Sequence, residues 1–149
     1  MQRAFFAVCR RLTEDAVLKA RTLTIQIARP PEDVYGFLVD PANLARWTLV
    51  RNGRPEPAAG PDSWAYDGPR GTVLVHFTPA NPFMVLDYRI EAGPQTIQVA
   101  HVRVMRNGAG TVMTHTSIQQ PLVSDAMFAS EGEWMALDID VLKTLMEGK

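Results

Sequence analysis

The stretch from Thr22 to Trp47, TLTIQIARPPEDVYGFLVDPANLARW, constrains the fold more than any other part of the chain. Leu23, Ile25 and Ile27 alternate with Thr24, Gln26 and Ala28, so the stretch begins as a strand with one apolar face. Pro31 suits a first helical position, where its missing N–H costs nothing, and Glu32 and Asp33 favour the positive end of the helix dipole. Val34, Phe37 and Leu38 form the buried stripe of that helix. Asp40-Pro41 restarts the chain as a cap and a first-turn proline, with Leu44 and Trp47 on one face. A strand, a helix and a second short helix therefore follow one another with almost no linker.

At 149 residues the chain is one domain, long enough for a sizeable core. Fifteen basic and 16 acidic residues nearly cancel, which weighs against a nucleic-acid partner. A lone Cys9 excludes an internal disulfide framework and a multi-cysteine zinc site. No apolar run is long enough to cross a bilayer, so stable membrane insertion is not expected. The apolar run in MQRAFFAVCRRL is too short for a secretory signal, and a cytoplasmic protein is the default. Phe5, Val8, Cys9, Leu12 and Ala16 fall at helical spacing. Residues 1–20 are thus an N-terminal extension, either an amphipathic helix or a segment docked loosely on the domain formed by residues 21–149.

From Arg51 to Asp62 the chain is rich in Pro, Gly and charge and reads as a loop without structure of its own, either a connector or the border of an entrance. From Ser63 onward, turn signals at Asp67-Gly68-Pro69, Pro79-Ala80-Asn81-Pro82, Gly93-Pro94 and Asn107-Gly108-Ala109-Gly110 separate five candidate strands. Residues 84–91 alternate Met84, Leu86, Tyr88 and Ile90 with Asp87, Arg89 and Glu91, so the apolar set must look inward. If Gly93-Pro94 is a two-residue hairpin loop, Ala92 pairs with Gln95, and Ile97, Val99, His101 and Arg103 share the inward face. A three- or five-residue loop at the next turn then sets Arg103 opposite Met113 and His101 opposite His115. In the other direction Val73, Val75 and Phe77 turn inward, followed by Trp64 and Tyr66. A one-residue slip would turn His101, Arg103 and His115 outward and bring in Val102, Val104, Val112 and Ile118. The clean alternation of residues 84–91 favours the first register.

The last segment, Val123 to Glu147, reads as one helix. Met127, Trp134, Leu137, Val141 and Leu145 form one stripe, and Phe128, Met135, Ile139, Leu142 and Met146 its neighbour. Together they span an apolar arc of roughly 200°, wide enough for a helix lying along a curved sheet with Trp134 packed inward. Glu133, Asp140, Lys143 and Glu147 fall on the opposite, solvated side. Glu131 and Asp138 break the arc and point at the sheet, where a carboxylate must pair, take up a proton or reach water. Arg103, His101 and His115 are the partners on offer. Such a cluster would orient a ligand or move protons; alternatively Glu131 reaches solvent and Asp138 makes one structural ion pair. Two cross-strand histidines and a helix carboxylate would make a metal-ligand set, but His76 faces outward and no His-x-His spacing occurs, so no metal is expected. Nucleophile-elbow, P-loop and dinucleotide motifs are absent.

The opening strand with its two short helices, the meander of strands and the long last helix, over roughly Thr22 to Glu147, resemble the START/Bet v 1-like (SRPBCC) superfamily of polyketide cyclase/dehydrase-like proteins. The resemblance implies an α+β helix-grip fold: a curved antiparallel sheet of six to seven strands around a long C-terminal helix, with two short helices after the first strand. It also implies a hollow between sheet and helix that binds a small hydrophobic or amphipathic molecule, such as a lipid, a polyketide or another aromatic. Its candidate lining is Trp64, Tyr66, Phe77, Leu86, Tyr88, Val99, His101, Arg103, Met113, His115, Glu131, Trp134, Met135 and Asp138. No cofactor is implied, and the family has no universal catalytic residues to carry over. Two other readings stay open: a cyclase/dehydrase-type enzyme in which a cavity acid or histidine promotes enolisation, and a protein-interaction domain with a filled core. A homodimer is also left open. Trp134, in Glu-Trp-Met-Ala-Leu, resembles the tryptophan near the start of the last helix in the chaperone-activator-like branch. A cavity above about 300 Å3 would separate the ligand-holding readings from the filled core.

Overall fold

The computed structural model describes residues 17–93 and 97–148, so the helical pattern of residues 5–16 lies outside the described residues. β1 (Ala20–Ile27) leads into α1 (Pro31–Leu38), a 3-10 turn (Pro41–Asn43) and α2 (Leu44–Trp47). β2 (Arg51–Pro55), β3 (Ser63–Gly68), β4 (Gly71–Phe77), β5 (Val85–Glu91), β6 (Ile97–Asn107) and β7 (Gly110–Ile118) follow, and α3 (Asp125–Glu147) closes the fold. Among the described residues the strands form one seven-stranded antiparallel sheet in the order β1-β7-β6-β5-β4-β3-β2. This is the helix-grip architecture that the family resemblance implies.

Local chemistry sets the helix ends. Asp40 Oδ1 accepts from Ala42 N at 3.0 Å ahead of Pro41. Ser124 Oγ accepts from Met127 N at 3.1 Å to start α3, and Gly148, at φ 70, ends it in a left-handed turn. Between sheet and helices the core is apolar and tight: Val34 from α1, Tyr66 and Val75 from the sheet and Leu142 from α3 are all fully buried.

The stretch after Trp47 is not a bare loop. Its first part is the edge strand β2, followed by a 3-10 turn at Pro57–Ala59. All five residues of β2 are exposed, so no apolar alternation marks it in the sequence. Backbone pairing to β3 holds it, at Arg51↔Asp67 and Arg54↔Ala65, with a bulge between them where Asn52 has φ 54. Gly53 lies against Tyr66, whose ring a Cβ would approach to 2.7 Å.

The strand register differs from expectation twice, and the two differences partly cancel. β5 pairs with β6 through Leu86↔Val102, Tyr88↔Ala100 and Asp87↔His101. Val102 and Val104 therefore face the core, while His101 and Arg103 lie on the outer face, as does Val99 by strand alternation. Glu91 pairs with Ile97, so residues 92–96, an odd number, separate the paired ends, where a two-residue loop was expected. At the next turn Asn107 pairs with Gly110 around a two-residue loop opened by Gly108 at φ 58. That second change of parity returns Met113 and His115 to the inner face, opposite Val104 and Val102. Trp64, Tyr66, Val73, Val75 and Phe77 look inward as expected, with Trp64↔Val75 and Phe77↔Tyr88 in register.

α3 buries only half of its apolar arc. Phe128, Ile139, Leu142 and Met146 face the sheet, while Met127, Trp134, Leu137, Val141 and Leu145 are exposed. Trp134, expected to pack inward, is 54% exposed and Leu137 64%. One layer beneath a straight helix covers a single stripe, so a second stripe alongside it turns away. Glu147, placed on the solvated side by its spacing, instead accepts from Ala28 N at 3.1 Å and joins the last turn of α3 to the end of β1.

Candidate ligand site

Between β1, β6, β7 and the first half of α3 lies a cavity of about 40 Å3, lined by polar groups of Arg21, Tyr88, Gln98, His115, Ser117 and Glu131, with Met135 on its apolar side. It has room for a few waters and none for a whole lipid. Tyr66, Val75, Met113 and Leu142, each less than 2% exposed, occupy the space that the resemblance leaves hollow.

Arg21 was not singled out in the sequence, although the signal was there: it continues the parity of Leu23, Ile25 and Ile27. Strand alternation thus aims a guanidinium beneath α3. Its Nη1 donates to Phe128 O at 2.5 Å, its Nη2 to Ser117 Oγ at 3.2 Å, and Cζ sits 4.1 Å from the centre of the Phe128 ring. Gly132 makes the room, since a Cβ there would come within 2.5 Å of Cζ. No carboxylate pairs with Arg21 among the described residues, and its buried Nε–H has no hydrogen-bond partner.

His115 is 3% exposed, and its Nε2 lies 2.9 Å from the Tyr88 hydroxyl, across the small Ala100. Burial pushes the imidazole down to about 4 against a backbone hydrogen bond that favours the charged ring, and the nearby Arg21 guanidinium pushes it the same way as burial, so it is neutral near pH 7. Tyr88 has no other acceptor among the described residues, so we assign its hydroxyl as donor to Nε2. The proton of the neutral ring is then on Nδ1, which is buried and has no partner. Two lining residues thus each hold an unused donor. Burial raises the Tyr88 hydroxyl well above its ordinary value, and the Asp138 carboxylate adds to the shift.

The two helix acids divide. Glu131 accepts from Gln98 Nε2 at 3.0 Å on the cavity wall. Asp138 is half-buried, and burial pushes its carboxyl up to about 6. Neither acid meets the partners expected of it: His115, which is on the inner face, pairs with Tyr88 instead, and His101 and Arg103 are on the other side of the sheet. There Asp87 accepts from Arg103 Nη1 at 2.6 Å and pairs with His101 Nδ1 at 3.1 Å. Partial burial opposes the charge of Asp87, but these two donors outweigh it and hold the carboxyl below its ordinary value. His76, also on the outer side, contacts Ser63 Oγ at 2.8 Å and Glu91 Oε2 at 3.3 Å.

Of the residues proposed from sequence, Tyr88, His115, Glu131 and Met135 line the inner cavity, and Val99 borders it from the outer-facing set. Trp64, Tyr66, Phe77, Leu86 and Met113 are on the inner face but belong to the packed region beside it. His101, Arg103 and Trp134 lie elsewhere. His101 and His115, expected as cross-strand neighbours on the inner face, lie on opposite faces of the sheet, and among the described residues no three His, Cys, Asp or Glu side chains converge as metal ligands.

The model of the family of polyketide cyclases/dehydrases and lipid-transport proteins matches residues 21–145. The chain belongs to this family. A START superfamily protein from Mycobacterium smegmatis superposes with a TM-score of 0.68 at 13% identity, over 87% of this chain and 97% of that one. Ara h 8.0201 gives 0.69 at 11% identity, over 89% and 100%. The Aha1 dimer from Colwellia psychrerythraea, solved in solution, gives 0.68 at 17% identity, over 87% and 97%. At these identities the likeness is one of fold alone. No curated protein matches the sequence at a significant level. Among the described residues no helix is long and apolar enough to cross a membrane.

Proposed function

We propose that this SRPBCC domain binds a small amphipathic molecule at the edge of the sheet–helix interface, with an acceptor oxygen of the ligand seated between Arg21 and His115. The observation that carries this reading is the pair of buried nitrogens without a hydrogen-bond partner, Arg21 Nε and His115 Nδ1, on residues lining one cavity; both are donors in the tautomer assigned above. A buried donor without a partner costs roughly 1–3 kcal/mol, a cost that a ligand oxygen would remove. A carboxylate, enolate or phenolate fits best, because the guanidinium is cationic, has no carboxylate partner among the described residues and is part-buried beneath α3. With about 40 Å3 available, the cavity takes the polar end, and the apolar body must lie toward the Val123 turn and the start of α3.

Catalysis of the cyclase/dehydrase type is the second reading. It is favoured by Asp138, whose carboxyl is held up to about 6 and lies close enough to the Tyr88 hydroxyl to shift its pKa. A group titrating there can accept and return a proton near neutral pH, as an enolisation requires.

Native mass spectrometry of the purified full chain tests the binding reading. A co-purifying small acid or phenol, released on denaturation and lost from Arg21→Leu, is the expected result. The apo mass alone, together with no thermal shift from a panel of aromatic and aliphatic carboxylic acids, would overturn it.

A further inference from the structure

Arg21 and Glu131 line the same cavity of about 40 Å3, a guanidinium and a carboxylate, and yet they form no ion pair with each other. The fold holds them apart. Arg21 stands on β1 and Gln98 on β6 with β7 between them, so their backbones are two strand spacings apart, roughly 10 Å. On α3, Gly132 lies against the guanidinium. One step of about 100° along the helix then turns Glu131 away from it. Glu131 Oε1 accordingly accepts from Gln98 Nε2 at 3.0 Å, while Arg21 donates to the uncharged Phe128 O and Ser117 Oγ.

Both groups keep unspent hydrogen-bonding capacity. Arg21 Nε–H has no acceptor, and Glu131 Oε2 has no donor among the described residues. The cavity is thus bounded by a cationic donor on its β1 side and an anionic acceptor on its β6 side. A plain carboxylate satisfies the first and faces the second with like charge, which repels across a part-buried gap. A hydroxyl beside that carboxylate puts a donor between the two negative charges. An ammonium fits less well, because it brings three donors to one free acceptor oxygen.

We infer that the ligand is a hydroxy acid whose carboxylate lies against Arg21 and His115 and whose hydroxyl, one or two carbons away, donates to Glu131 Oε2. This rests on the anionic seat proposed above, to which Glu131 adds selection for the hydroxyl. Two small polar groups side by side suit a space that holds only a few waters.

Titration calorimetry of the full chain with 1-naphthylacetate, 1-naphthylglycolate and 1-naphthylglycine holds the apolar body and the carboxylate fixed and changes only the neighbouring group. One enantiomer of the glycolate should bind about tenfold more tightly than the acetate, the gain expected of one hydrogen bond to a charged acceptor. In Glu131→Met that gain should vanish while the affinity for 1-naphthylacetate holds or rises; a helix merely loosened by the substitution would weaken both acids alike. In Glu131→Gln, whose amide oxygen still accepts, about a threefold gain should remain. Equal affinities for acetate and glycolate, both weakened in Arg21→Leu, would overturn the hydroxyl selection and leave the anionic seat standing. Failure of every compound to bind, or affinities indifferent to Arg21→Leu, would overturn both. A gain that survives in Glu131→Met would show that another group reads the hydroxyl, and tightest binding of the glycine that Glu131 seeks a cation; either result would also overturn the inference.

Discussion

The two faces of the sheet carry clusters of similar chemistry with opposite bookkeeping of hydrogen bonds. On the outer face Asp87, His101 and Arg103 saturate one another: the carboxylate takes a donor on each oxygen, at 2.6 and 3.1 Å. On the inner face Arg21, His115 and Tyr88 meet with no carboxylate partner among the described residues, and two buried donors remain free. The outer cluster is a solvated cross-strand tie, complete in itself. The inner one is a polar recess that needs something more. Residue type alone does not distinguish a structural cluster from a binding one; the unspent hydrogen-bonding capacity does.

Removing the inner donors gives the largest expected effect. In Arg21→Leu/His115→Phe, affinity for an acidic ligand should fall about a hundredfold, as expected for losing a charge-assisted and a neutral hydrogen bond. The melting temperature should hold within a few degrees, since the cation that had to be kept out of water is gone. A similar loss of affinity in Arg103→Met would erase the distinction between the faces.

The pH dependence of stability sharpens the contrast. The folded pKa of His115, about 4, lies below the ordinary 6.5, so the folded protein binds fewer protons between those values. Stability is therefore full above pH 6.5 and is lost as pH falls toward 4, by about 2–3 kcal/mol. Chemical denaturation of His115→Gln across pH 4–7 should lack this slope.

Asp138 acts with the opposite sign. Its folded pKa, about 6, lies above the ordinary 3.8, so the contribution is full below pH 3.8 and fades as pH rises through 6. Asp138→Asn should thus stabilise the protein above pH 6, by about 1 kcal/mol once solvent screening of a half-buried group is allowed for, and leave it unchanged near pH 4. The smallest effect belongs to the outer tie. Asp87→Asn should cost less than about 1 kcal/mol, a melting shift of roughly 2–4 °C at most, with ligand affinity unaltered. Thermal melts with and without ligand check both variants.

Much of the architecture was legible because its signals are local. The alternation of Leu23, Ile25 and Ile27, the helix-starting Pro31 and Pro41 and the alternation in residues 84–91 each fix one element without reference to the rest. β2 was not legible, because an exposed edge strand with a bulge at Asn52 lacks both alternation and apolar residues. The site was legible only in part. Which face a strand presents depends on whether each connecting loop is odd or even, and a single residue at 92–96 moved His101 and Arg103 across the sheet. His115 stayed inside because a second change of parity at Gly108 reversed the first. Arg21 was readable from its parity with Leu23, but lay one residue outside the strand as drawn. On α3 the apolar positions were legible and their use was not: which half of the arc meets the sheet is set by tertiary packing, with Phe128, Ile139, Leu142 and Met146 buried and Trp134 and Leu137 exposed.

The most direct test of the inner recess compares a ligand with and without a negative oxygen. Titration calorimetry of the full chain with 1-naphthoate and with its neutral counterpart 1-naphthamide holds the apolar body fixed and changes the polar end. If Arg21 and His115 receive an anionic oxygen, the carboxylate should bind at least about tenfold more tightly than the amide, and Arg21→Leu should abolish the difference. Equal affinity for the two compounds, or a preference that survives in Arg21→Leu, would contradict the account.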